Sequence, residues 1–201
     1  MQNKHNNKAG FTIIEVMTSV SIFIIVVTTG IVALLNVNSV HNKSQNMRSI
    51  MDNMNFIMED ISRNLRTGYN YRCINSLPDS AISTPSSGNS CLGIAFEFAE
   101  GDPSISNDQW VYKIDSSNGT DFNISKSTDG GSTWVQLNPP EVLLEGVSGF
   151  SVLGAEPPPS AGGSDLQQPF ATIILVGDIT YKSFVTPFSL QTSVSQRAFD
   201  I

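Results

Sequence analysis

A chain of 201 residues has room for a membrane anchor and one globular head, and not for two large domains. Its formal charge is −7, and without Lys4 and Lys8 it falls to −9, so clustered Lys and Arg for nucleic-acid phosphates are lacking. With two histidines and two cysteines there is no Cys/His set at metal spacing and no Gly-rich phosphate loop, so no enzyme activity, catalytic residue, cofactor or metal is expected.

The first ten residues carry Lys4 and Lys8 and no acid, and an apolar stretch follows over residues 11–35. Glu15 is the one charge in that stretch, and residues 16–35 form a run of twenty without any. At 1.5 Å per residue such a helix crosses a hydrocarbon core of about 30 Å. The lysines before it place the N-terminus in the cytoplasm and the remainder outside. A lone acid at membrane depth costs roughly 3 kcal/mol unless it is met by an opposite charge. Two plainer readings compete. One is a secretory signal peptide, for which Gly30-Ile31-Val32-Ala33 is the nearest cleavage site; the other is a single-span anchor with an incidental acid.

The order Lys8-Ala9-Gly10 followed by Phe11-Thr12-Ile13-Ile14-Glu15 resembles the class III signal of the type IV pilin superfamily. That resemblance implies cleavage after Gly10 by a prepilin peptidase and methylation of the new amine of Phe11. It also implies that Glu15 pairs with the N-terminal amine of a neighbouring subunit, an arrangement in which two charges costly alone cancel in a dry environment. The implied partners are the peptidase, other pilin or pseudopilin subunits, an inner-membrane assembly platform and membrane lipid, with no nucleic acid. Val32 stands where the family often has a proline, which leaves the bend of the helix open.

Past residue 35 the apolar pattern narrows to a stripe. Val37, Val40, Met47, Met51, Met54, Met58, Ile61 and Leu65 follow steps of three and four, with Ser44 filling the gap. The stripe predicts an amphipathic helix ending at Thr67-Gly68, with the glycine as C-terminal cap, and its apolar face is the floor of a head domain rather than a coiled-coil seam. Residues 69–91 read as a Ser-, Pro- and Asn-rich loop tied by Cys73 and Cys91. Bridged, the two close a loop worth roughly 3 kcal/mol in the loop-entropy model; a free pair or half a metal site are the other readings.

Strand signals then follow in series. Leu92, Ile94, Phe96 and Phe98 alternate with Gly93, Ala95, Glu97 and Ala99. Trp110 to Ile114 alternate likewise, and shorter segments begin at Phe122, Trp134, Val142 and Val147. Residues 171–176 form a near-continuous buried run, and Phe188, Leu190, Thr192 and Val194 close the series. Pro157-Pro158-Pro159 and residues 160–163 mark an exposed loop. The expected fold is α+β, one long helix packed on a mostly antiparallel sheet. Its parts are a leader (1–10), a transmembrane assembly helix (11–35), an amphipathic half (36–67) and an extracytoplasmic β-rich head (68–201). The length, the segment 141–150 and the segment 188–197 are similar to J-type minor pseudopilins and W-type minor pilins, which implies a subunit that assembles into or primes a type IV pilus or a type II secretion pseudopilus. A filament-tip adhesin or substrate-binding pilin is the alternative, and a DNA-uptake pilin is disfavoured by the charge.

Ser127-Thr128-Asp129-Gly130-Gly131-Ser132-Thr133-Trp134 fits the Asp-box pattern of sialidases and other propellers. Here it occurs once, and its mechanics are those of a turn: Asp129 accepts backbone amides, the glycines allow positive φ and Trp134 packs beneath the hairpin. Some pseudopilins bind calcium, but Asp102, Asp108, Asp115 and Asp121 lack a recognisable ligand spacing.

Overall fold

The computed structural model describes residues 10–75, 84–116, 119–157, 162–163, 165–182 and 184–197. Lys4, Lys8, most of the leader and the predicted loop at Pro158, Pro159, Ser160 and Ala161 lie outside the described residues. The chain divides into two compact units, Met1–Gln45 and Asn46–Ile201. The architecture is α+β: one long helix, α1 (Ile13–Thr67), followed by an antiparallel β-sheet domain.

In the first unit α1 is long and apolar enough to cross a membrane. Its side chains from residue 11 to 42 are exposed, Val37 and Val40 among them. The predicted core stripe therefore starts too early. In the second unit burial begins with partly covered Met47 and Ile50 and continues through Met54, Ile57, Met58, Ile61 and Leu65. Ile50 and Ile57 widen the stripe to the three-per-two-turns face that a sheet-packed helix requires, and Phe56 points outward. Each such side chain, fully buried, contributes about 1.5–3 kcal/mol.

α1 ends as expected at Thr67, with the Gly68 amide bonded to the Asn64 carbonyl at 2.9 Å. The glycine serves another purpose than the predicted one. It does not take a left-handed φ; Asn70 does, at 55°. A Cβ on Gly68 would run into the ring of Phe96, so the residue is small to let the chain leave the helix against that ring.

The sheet has ten strands: β1 (Tyr69–Ile74), β2 (Gly88–Cys91), β3 (Gly93–Glu97), β4 (Trp110–Ser116), β5 (Phe122–Ser127), β6 (Val135–Gln136), β7 (Val142–Leu144), β8 (Gly149–Leu153), β9 (Phe170–Tyr181) and β10 (Phe184–Ser195). β9 organises it. One edge of β9 carries β10 along its whole length, while the other is shared between β8, opposite residues 170–174, and β7, opposite residues 177–179. From β7 a branch runs β5-β4-β3-β1, and from β8 another runs to β2. The Cys73–Cys91 disulfide joins the ends of these branches, β1 to β2, beside a bridge between Arg72 and Ser86. Pro187 sits on β10, the free edge, where a missing N–H costs no ladder bond.

Three strand expectations need correction. Residues 69–91 are not all loop, since β1 and β2 lie within them and pair with β3 and β8. β3 alternates in sequence but not in burial: Ala95 and Glu97 are as buried as Ile94 and Phe96, while Leu92, on the apolar side of the alternation, is exposed. A second small cluster of Ile74, Ala95, Val111 and Trp134 covers that outer face. β9 in turn is longer than the predicted run and alternates, with Ala171, Ile173 and Leu175 buried and the residues between them half-exposed.

Candidate functional site

Two regions carry the residues singled out by the sequence. The first is the start of α1. Thr12 caps the helix: its carbonyl accepts from the Val16 amide at 3.2 Å and its hydroxyl from the Glu15 amide at 3.3 Å. Thr12-x-x-Glu15 has the spacing of a capping box, which the sequence reading passed over. Glu15 thus lies in the first turn, where the positive end of the helix dipole favours a carboxylate. Phe11, Glu15, Val16, Ser19 and Val20 line one shallow cleft.

The remaining polar side chains of residues 13–35 are satisfied within the helix. Thr18 and Ser19 donate to the Glu15 carbonyl, Ser21 to Met17, Thr28 to Ile24, and Thr29 to Ile25 and Val26, at 2.7–3.0 Å. Hydroxyls bonded back to their own helix can sit in hydrocarbon without a further partner. The Glu15 carboxylate differs, having no ion pair among the described residues. Gly10 is unconstrained locally, for a Cβ there meets nothing within 4 Å.

The second region is the turn between β5 and β6. Asp129 Oδ1 accepts from the Thr133 amide at 2.9 Å and from the Ser127 hydroxyl at 2.7 Å, and Oδ2 accepts from the Thr133 hydroxyl at 2.6 Å. Gly130 and Gly131 take φ of 66° and 89°. The Gly130 amide donates to the Gln109 carbonyl at 3.0 Å, which ties this turn to the connection before β4. Trp134 packs on the small outer cluster, with Lys113 Nζ 3.9 Å from its ring centre.

The Thr133 and Ser127 hydroxyls, with the Thr133 amide, hold the Asp129 carboxyl down at about 2. The folded value lies below the unfolded one of about 3.9, so this contribution is present above the unfolded value and lost as pH falls through about 2. An Asp129→Asn variant is therefore expected to show a shallower acid limb between about pH 4 and pH 2 in a stability titration. An unchanged limb would remove the turn's claim on that carboxylate.

Of the four acids weighed for calcium, Asp102 and Asp108 come together, the Asp102 amide donating to Asp108 Oδ2 at 2.9 Å. Asp115 instead pairs with Lys113 at 2.5 Å on β4, and Asp121 precedes β5. Among the described residues no three His, Cys, Asp or Glu are grouped to hold a metal. One polar cluster was not foreseen. Tyr112, buried under α1, accepts from Asn64 at 2.8 Å and donates to Asp60 at 3.1 Å, and Lys126 reaches Asp60 at 3.4 Å over the Trp110 ring. Burial pushes the Tyr112 hydroxyl well up, so it stays a donor at any physiological pH.

Residues 5–31 match the prokaryotic N-terminal methylation motif. No curated protein and no solved structure matches the chain.

Proposed function

We propose, on the premise that this methylation motif marks a pilin-type subunit processed by a prepilin peptidase, that the chain is a minor pilin or pseudopilin. In this reading residues 1–10 are a leader cut after Gly10, and the amine of Phe11 is methylated. The subunit then waits in the bacterial inner membrane, held by residues 11–35 with its head outside. From there it joins or primes a type IV pilus or type II secretion pseudopilus through an assembly platform. In this reading the chain is a structural subunit and not an enzyme.

One observation carries the reading. The methylation motif sits on an apolar helix that buries none of its membrane-length face in its own chain and keeps one carboxylate, Glu15, a turn from the cut. A helix of that kind is made to be covered by other helices or lipid, and its acid asks for a cation at the same depth. The amine of a neighbouring Phe11 is that cation.

The test is the intact mass of the membrane-bound chain, made with and without a prepilin peptidase. The expected product with the enzyme lacks residues 1–10 and carries one methyl on Phe11. Gly10→Val is expected to stay uncut, and since a side chain there touches nothing in the folded chain, the failure would lie in recognition and not in folding. A product cut beyond residue 27, or none, would sink the proposal.

A further inference from the structure

At the corner where β3 ends and β4 begins, two polar side chains are buried together. Glu97 has no exposed surface and Gln109 only 2%. Gln109 Nε2 donates to Glu97 Oε1. The other oxygens of the same two groups, Glu97 Oε2 and Gln109 Oε1, have no hydrogen-bond partner. An orphaned buried acceptor has lost its hydrogen bonds to water without replacement, at greater cost when charged, and this pair holds two of them. A single proton satisfies both, because a carboxylic acid and a primary amide close a ring of two hydrogen bonds, N–H to one carbonyl and O–H to the other.

We propose that Glu97 is held as the neutral acid, with Oε2–H donating to Gln109 Oε1, and that this acid–amide ring is a pH-sensitive latch on the 98–108 connection. When the proton leaves to water, the carboxylate and the amide oxygen face one another without a donor, and the connection loses its inner fastening.

The surroundings agree. Burial is the main influence raising the Glu97 carboxyl; Asp108 and Asp102 on the connection add to it, and the bond from Gln109 opposes them more weakly than burial. From β1 the Tyr69 phenol, neutral and itself pushed up first by burial, donates to the Gly101 carbonyl at 2.7 Å. Among the described residues no Lys, Arg or His forms an ion pair with Glu97. Asp108 Oδ1 is a third buried oxygen without a partner, which adds another acceptor to the corner. A Cβ on Gly101 would stand 2.9 Å from Glu97 Oε2, which sets the orphaned oxygen against the connection it fastens.

The direction of the switch follows from the raised folded value. The latch stabilises fully below the unfolded glutamate value of about 4.3 and is lost as pH rises through the folded one. Between the two, the folding constant falls about tenfold per pH unit.

The deciding experiment is carbon NMR of the full-length chain in detergent micelles, with glutamate carboxyls labelled and Glu97→Gln used to assign the Glu97 signal. Glu97→Asp removes the same signal and serves if the glutamine variant does not fold. The expected result is a Glu97 carboxyl still protonated where the exposed glutamates have ionised. Denaturation of Glu97→Gln, which closes an amide–amide ring at every pH, is expected to lack the tenfold-per-unit decline of the wild type. A Glu97 signal that titrates with the exposed glutamates would overturn the proposal. So would a rise in the wild-type midpoint on adding calcium that Glu97→Gln abolishes, since a cation would then occupy the place given to the proton.

Discussion

Replacing Glu15 with valine is expected to leave cleavage and methylation intact and to reduce incorporation into the filament by a hundredfold or more. The magnitude follows from the cost of breaking a desolvated pair by removing one member, about 3–5 kcal/mol, which is roughly two to four powers of ten. The substituted helix itself becomes more apolar, so the loss would arise on the neighbouring subunit, whose amine is left without its counter-charge. Glu15 also has a second possible employment, since Thr12 and Glu15 have capping-box spacing and the Glu15 amide is bonded to the Thr12 hydroxyl. Glu15→Gln separates the two. Glutamine serves a capping box as well as glutamate does, and a lost cap costs only about 1 kcal/mol. If charge pairing drives assembly, the glutamine variant fails like valine; if capping is the whole role, it assembles like the wild type. Counting subunits in sheared filaments against the processed membrane pool reads either outcome.

Phe96→Ala is expected to remove about 3–5 kcal/mol from the stability of the 46–201 unit. Phe96 is fully buried, stacked on Tyr112 with ring centres 6.0 Å apart and edge-on to Tyr71 and Trp110 at 6.3 Å. Truncation leaves a void bounded by three rings and the turn at Gly68, none of which can follow the missing atoms without moving the end of α1. Against a typical total of about 5–15 kcal/mol the loss is roughly a fifth or more. Urea titration of the full-length chain in detergent, followed by tryptophan fluorescence, should show a lower midpoint at unchanged slope. A shift worth less than about 1 kcal/mol would mean that the aromatic cluster is not the keystone of this sheet.

The helix was legible because its two signals, an uncharged run and a stripe in steps of three and four, need no tertiary information. Its core face was misjudged at Val37 and Val40, where the same periodicity persists in a stretch with no sheet to cover it. β3 shows the opposite failure. Gly93, Ala95 and Glu97 look like a solvent face by alternation, and only the fold brings Ile74, Val111 and Trp134 over it. β1 was hidden by its neighbours: Tyr69, Tyr71 and Cys73 alternate correctly, but the Ser- and Pro-rich residues after them dominate the window. The processing and turn motifs were readable because each depends on local spacing. The Glu97–Gln109 contact was not, since the pair is made by two strands and a connection, and no spacing rule links a glutamate to a glutamine twelve positions on.

One bond in the head ties the end of α1 to the residues that follow β10. The Arg197 amide donates to the Arg66 carbonyl at 2.9 Å, at the last turn of α1, and the Gln196 amide to Pro169 at 3.0 Å. During synthesis roughly 130 residues separate the two arginines, a delay on the order of ten seconds at about 5–20 residues per second. Through that interval Ile61 and Leu65 have no finished sheet to cover them, and β9, made near its end, still waits for β10 on one edge. Both cysteines emerge early in the same interval, so an oxidant can seal β1 to β2 long before β9 arrives to organise the branches. The order of synthesis therefore lets the disulfide staple β1 to β2 before the bonds of residues 196 and 197 close over the end of α1.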